Sequence, residues 1–465
     1  MSTLRAPVRV LPTLNDDGTR RWIRPRLFQG RFYKRRRALA WALMALFTAL
    51  PFVRIAGKPA ILLDVVHRQF TVLGRTFLPT DGALLMLLLL SIFVGIMLMT
   101  AVAGRVWCGW ACPQTVYMEF LFRPIERLID GDLAARRKGS SPSDARRVLK
   151  HATFFALSAV VANVFLSYFV GTSALAYWIR SSPFQHPTAF LVMGTTTLLV
   201  FFDFAYFREQ MCTVACPYAR LQSALLDKKS LVVAYDTGRG EPRGKKGHTT
   251  GDCVDCKMCV AACPTGIDIR NGLQLECIGC TQCIDACDGV MDKIGRPRGL
   301  IRYTSDEALA KKREAAVRPS AYRFRARSLL RPRVLVYVAV LLALMAALTF
   351  AARQSAVADV SVLRGLGEPF VVQGDLVQNH VRIKIENRTS EDQDFTISVL
   401  GASDARLVSP ENPLHVAPRQ HSTAGIFVLA PRQSFHLGRR DVKIRVSNGA
   451  GFERVAPYRL LGPEG

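Results

Sequence analysis

Residues 251–288 read GDCVDCKMCVAACPTGIDIRNGLQLECIGCTQCIDACD, and the cysteine spacing decides what kind of domain sits there. Cys253, Cys256, Cys259 and Cys263, followed by Pro264, form one C-x2-C-x2-C-x3-C run. Cys277, Cys280, Cys283 and Cys287, followed by Asp288, form the second. A tight loop with two-residue gaps aims three thiolates at one face of an iron–sulfur cubane, and the fourth cysteine of each run reaches the neighbouring cluster. The pattern assigns one [4Fe–4S] cluster to Cys253, Cys256, Cys259 and Cys287, and a second to Cys277, Cys280, Cys283 and Cys263. Residues 251–303 then form a ferredoxin-like α+β module. Pairs of C-x2-C also hold zinc, but a doubled four-cysteine run is far more specific than one pair. Asp288 stands where a second proline is expected. A carboxylate there is expected to lower the reduction potential, because reduction adds negative charge; an unchanged midpoint in Asp288→Pro would remove that idea.

Four cysteines remain of the twelve. They form two C-x3-C-P motifs, Cys108/Cys112/Pro113 and Cys212/Cys216/Pro217. The spacing is i, i+4, which would put both sulfurs of a pair on one face of a helix. Four such thiolates suit a soft ion such as Cu(I), or a further cluster; the plainer alternative is cysteine packed as a small hydrophobe. Met97, Met99, Met118 and Met211 lie near these motifs, where thioethers could carry Cu(I) but more often fill gaps. Trp107 and Trp110 frame the first motif, as expected at a bilayer interface. Glu119 and Glu126 are expected on a solvated helix face. His67 and His380 receive no role. All twelve cysteines sit in metal-type spacings, so disulfides are not expected.

Working outward, five segments are apolar enough to span a bilayer: Ala38–Val53, Gly82–Ala103, Phe154–Ile179, Thr188–Phe207 and Val334–Ala352. Their flanks alternate in charge. The tail 1–37 carries eleven Lys and Arg, 54–81 four, 105–153 nine, the turn near Arg180 one, and 208–333 twenty-three. The positive-inside rule then places the N-terminus and the cysteine runs in the cytosol and the C-terminal region in the periplasm of a bacterial inner membrane. No cleavable signal peptide is expected, since the first apolar run follows some forty residues of basic tail. This arrangement also accounts for the net charge of +26. No nucleic-acid module is visible, so nucleic acid is not an expected partner; anionic membrane lipid is.

The expected organisation is a cytosolic tail (1–37), a four-helix membrane region carrying the first C-x3-C-P motif (38–207), the second motif with a basic glycine-rich linker (208–250), the ferredoxin module (251–303), a basic tether (304–333), a fifth span (334–352) and a C-terminal domain (353–465). In the last, His380–Ile385, Phe395–Val399 and Val442–Val446 alternate with period two between turn residues. This pattern predicts an immunoglobulin-like β-sandwich. Asn387-Arg388-Thr389 matches a glycosylation sequon but reads better as a turn.

Trp107-Cys108-Gly109-Trp110-Ala111-Cys112-Pro113-Gln114-Thr115, Met211-Cys212-Thr213-Val214-Ala215-Cys216-Pro217-Tyr218 and the doubled cysteine run together resemble the cytochrome c oxidase accessory proteins of the CcoG/FixG/RdxA type. The resemblance covers nearly the whole chain. It implies a membrane iron–sulfur protein that reduces Cu(II) to Cu(I) for assembly of a cbb-type oxidase. It implies eight cluster ligands in the two runs, and Cys108, Cys112, Cys212 and Cys216 as candidate catalytic or metal-binding residues. Implied partners are oxidase subunits, copper-handling proteins, and a cytosolic or membrane electron donor. Respiratory proteins of nitrate and nitrous-oxide metabolism share the two C-x3-C-P motifs with a ferredoxin module, so a quinol-linked electron conduit stays open. So does a non-enzymatic assembly factor.

Overall fold

The computed structural model describes residues 13–15, 17, 19–55, 57–65, 69–72, 75–77, 82–131, 143–244, 251–309, 331–353, 357–389, 391–418 and 420–463. Most of the basic tether, part of the glycine-rich linker, the Arg136-Arg137-Lys138 run and His67 lie outside the described residues. The chain divides into two compact units, Met1–Leu348 and Thr349–Gly465.

Among the described residues, four helices are long and apolar enough to cross a membrane: Gly82–Ala103, Asp144–Val170, Pro187–Phe207 and Pro332–Ala351. The segment expected as the first span falls in α1 (Arg31–Ala49), which is not among them. This helix starts seven residues early, and Arg31 and Lys34–Arg37 occupy its first two turns. Its buried stripe runs Tyr33, Arg36, Ala40, Met44, a helical spacing in which a charged residue takes an apolar position. The expected third span also shifts toward the N-terminus. The helix Asp144–Val170 stops at Gly171, whose φ of 80° breaks it, and Thr172–Arg180 continues separately.

Aromatic side chains hold this region together. Phe122 is fully buried, stacked on Phe204 with centroids 4.3 Å apart and edge-on to Phe154 at 5.0 Å. The ferredoxin module closes with an antiparallel ribbon, Val232–Tyr235 against Ile301–Thr304. That pairing draws residues 232–235, from the stretch expected to be linker, into the module.

The second unit is an antiparallel sandwich, as the alternation predicted. One sheet orders Arg406–Val408, His421–Pro431, Leu376–Asn387 and Ala358–Arg364, and the other Leu414–Val416, Gln393–Leu400, Arg439–Ser447 and Glu453–Leu461. Every second residue from Val377 to Asn387 is buried. Val381, Ile383 and Ile385 meet Phe395, Ile426 and Ile444 in its core. His380 stacks on its cross-strand partner Phe427 at 4.9 Å. The sequon is a closed turn: the Asn387 amide donates to the carbonyls of Glu391 and Val416 at 2.8 and 2.9 Å, and its carbonyl accepts from the backbone and hydroxyl of Thr389.

Candidate metal centre

The two cysteine runs fold as a repeat. Asp255 and Lys257 precede Cys256 and Cys259 with φ of 49° and 55°, and Gly279 and Thr281 hold the matching places before Cys280 and Cys283 with φ of 67° and 63°. Left-handed backbone at alternate residues curls each loop around its own centre. Lys257 then caps the Met258–Ala261 turn, and Thr281 caps the Gln282–Lys293 helix.

Each loop rims a cavity. One, of about 340 Å³, is lined by Cys253, Cys256, Cys259 and Cys287 together with Met291 and Leu300. The other, of about 350 Å³, is lined by Cys263, Cys277, Cys280 and Cys283, with Cys259 on the shared wall. These quartets are the ones the spacing groups together. The donors fit a polynuclear group better than a single ion. Four thiols ring each space, and among the described residues no three Cys, His, Asp or Glu side chains are grouped to hold one metal ion. Burial pushes the Cys259, Cys280 and Cys287 thiols up to about 12 and Cys277 to about 11. Thiolates in such a place need a bound cation to form. Of the eight, Cys256 is exposed. Asp288 is buried, accepts from the Gly299 amide at 2.9 Å and lies 3.6 Å from Arg31. That neighbouring guanidinium offsets part of the charge the sequence reading gave it.

The C-x3-C-P motifs do not keep the helical i, i+4 relation expected of them. Cys108 lies in a short helix, Val106–Trp110, but Cys112 is extended (φ −60°, ψ 127°) and opens the Pro113–Tyr117 helix. Cys216 is likewise extended (φ −72°, ψ 109°) before Pro217, which begins the Pro217–Leu225 helix. A residue before proline is driven out of helical backbone, and proline suits the first helical position. The motif therefore ends one helical turn and starts another at its second cysteine. The four thiols lie within electrostatic reach of one another: Cys112, Cys108 and Cys216 all oppose ionisation of Cys212, behind the larger effect of its burial. Burial lifts Cys108 to about 12.

The first motif also touches the second cysteine loop. Cys108 packs with Ile278 and Cys280, with Cys212 and Tyr218 beside them. A Cβ on Gly109 would lie 2.7 Å from the Gly279 carbonyl carbon and oxygen and 2.8 Å from the Cys280 nitrogen. Trp110, expected at a bilayer interface, is engaged by the ferredoxin module. Its indole donates to the Tyr303 hydroxyl at 3.0 Å, which donates to the Gly279 carbonyl at 3.2 Å. Arg105 donates to the Leu275, Cys277 and Ala219 carbonyls. The Cys108 thiol donates to Gln222 at 3.0 Å, and the Gln222 amide reaches the Thr100 hydroxyl at 3.3 Å.

Glu119 and Glu126 are also not on a solvated face. Glu119 is buried against Arg123, and Glu126 pairs with Arg208 and Lys150. Met118 is buried in the aromatic core and also lines, with Cys212 and Glu209, a cavity of about 310 Å³.

Three family models match the chain: a "4Fe-4S binding domain" over 85–131, a "4Fe-4S dicluster domain" over 207–306, and an "IG-like fold at C-terminal of FixG" over 348–463. The nitrogen fixation protein FixG of Rhizobium meliloti is 34% identical across 96% of this chain and 94% of its own length. Protein RdxA of Cereibacter sphaeroides is 34% identical across 92% of this chain and 94% of its own. The crystal structure of a FixG-related protein from Vibrio parahaemolyticus covers 23% of this chain and 96% of that one, at 20% identity and a TM-score of 0.21.

Proposed function

The chain belongs to the family of FixG and RdxA, and from that premise we propose that it is an inner-membrane iron–sulfur oxidoreductase that reduces Cu(II) to Cu(I) for assembly of a cbb-type cytochrome c oxidase. Cys253, Cys256, Cys259 and Cys287 would hold one [4Fe–4S] cluster, and Cys263, Cys277, Cys280 and Cys283 the other. When bound, the two clusters supply one-electron stores. The N-terminus and this module would face the cytosol, with the sandwich in the periplasm, where oxidase subunits or copper-handling proteins could dock.

The observation that carries the reading is the packing of Cys108 against Ile278 and Cys280. It puts the membrane-edge thiols in contact with a loop whose cysteines would hold a redox group. Cu(II) arriving at Cys108, Cys112, Cys212 and Cys216 takes one electron and becomes Cu(I), the state that soft sulfur ligands favour. Gln222 accepts the Cys108 proton-bearing sulfur as a hydrogen-bond donor and so orients it before the thiolate forms. Arg105 fastens the first motif to the Cys277 loop through backbone carbonyls, which keeps the two from separating.

The test uses the whole protein, purified and reduced without oxygen and freed of excess reductant, then mixed with Cu(II). Reoxidation of the iron–sulfur absorbance should match, one for one, the Cu(I) captured by a specific chelator. Cys280→Ser should abolish both. Cys108→Ser should leave the iron–sulfur absorbance reducible but slow Cu(I) formation at least tenfold. Reduced protein that ignores Cu(II) would sink the copper reading and favour a quinol-linked conduit or an assembly factor.

A further inference from the structure

Arg36 sits on the buried stripe of α1 and is 1% exposed. Its Nε donates to the Gly109 carbonyl at 2.8 Å. Both remaining guanidinium nitrogens are buried without a hydrogen-bond partner, and among the described residues no carboxylate forms an ion pair with it. The Phe120 ring lies 5.4 Å from the guanidinium carbon. Removing such a charge from water is strongly unfavourable unless an opposite charge compensates, so the fold is expected to supply one.

The surroundings point to where. Gly109, whose carbonyl Arg36 holds, presses its own backbone onto the Gly279–Cys280 peptide. α1 is fixed at this spot: Asp285, between Cys283 and Cys287, accepts from the amides of Phe32 and Tyr33 at 3.2 and 2.8 Å. A Cβ on Gly30 would collide with the same Asp285 side chain. A cluster held by four thiolates carries net negative charge and gains more on reduction. It is the kind of partner an unpaired buried guanidinium lacks.

We propose that the Arg36 guanidinium is the fixed counter-charge of the site ringed by Cys263, Cys277, Cys280 and Cys283, raising the potential at which a cluster there accepts its electron. This rests on the two-cluster reading above and not on copper. The other cavity has a different charge setting. Arg270, beside Cys259, is already committed to Asp268 and Asp255, and Asp288 adjoins Cys287. The charge of Arg36 therefore acts on the cluster at Cys280 rather than on the other one.

The whole protein is titrated anaerobically, with its two reduced-cluster signals followed by electron paramagnetic resonance and iron measured on each sample. Arg36→Gln keeps a donor for the Gly109 carbonyl and removes the charge. It should weaken reduction of one cluster about tenfold or more, ~59 mV for one electron, and leave the other alone. Arg36→Lys should restore most of the difference. If Arg36→Gln and Arg36→Met lose iron while Arg36→Lys keeps it, the charge itself is required and the proposal stands. Equal midpoints in wild type, Arg36→Gln and Arg36→Lys would overturn it and leave Arg36 as an anchor for Gly109. A wild-type protein without two [4Fe–4S] signals would overturn the two-cluster reading, and this inference with it.

Discussion

Gly109 has no room for a side chain, because what a Cβ would meet is backbone. Backbone cannot swing away as a flexible side chain can. Gly109→Ala should therefore cost about 1–3 kcal/mol, seen as a lower thermal midpoint in detergent, and loosen the contact between Cys108 and Cys280. Gly194, in the helix Pro187–Phe202, meets nothing within 4 Å. Gly194→Ala should be neutral or stabilise by up to about 1 kcal/mol, as helix propensity favours alanine. How far residues can be read from sequence follows from how local their partners are. The cluster cysteines announce themselves because a ligand loop is built from neighbours. The same locality misled at Cys112 and Cys216, where the following proline overrides helical spacing. Arg36 and Gln222 escaped because their partners lie 73 and 114 residues away. The signal for Arg36 was present all the same: it falls on the apolar stripe of its own helix.

Elements were legible where their hydrophobic period was clean. His380–Ile385 alternates cleanly, so the buried face of its strand, Leu376–Asn387, was readable there, although that face also takes in the polar Asn379 and Asn387. α1 was not, because a helix that begins basic and ends apolar matches neither a span nor a surface helix. In the sandwich, Asn387 is fully buried and its amide and carbonyl are both engaged. Asn387→Ala should cost about 2–4 kcal/mol by stranding the carbonyls it serves, measured by proteolytic susceptibility of the C-terminal unit. The short helix Arg123–Asp130 yields a pH prediction. Burial alone would lift the Glu126 carboxyl, but Arg208, with Lys150 and Arg123 behind it, holds it below the ordinary value. A depressed folded value means the stabilisation is present above the unfolded value of about 4.5 and is lost as pH falls below it. Thermal midpoints should fall from pH 6 to pH 4 more steeply in wild type than in Glu126→Gln; equal slopes would show that the pairing contributes nothing.

At the scale of the molecule, the charge alternation of the loops predicts a C-terminal domain in the periplasm and a cysteine module in the cytosol. Alkaline phosphatase fused after Gly465 should be active in intact cells, and fused after Arg298 inactive; the reverse pattern would invert the topology. The four long apolar helices were found by composition, whereas the attachment of α1 to the cluster module had to be seen, since it depends on Asp285 meeting an amide pair 252 residues away. One asymmetry of that module reaches further. Cys256 is open to solvent while Cys253, Cys259 and Cys287 around the same cavity are buried. A cluster held there would age from a single side. Dissolved oxygen and chelators would arrive at Cys256 first, whereas the quartet around Cys280 lies behind α1 and the Cys108 motif. Protein prepared in air should accordingly emerge half-spent, with iron gone from the outer site and still present in the inner one.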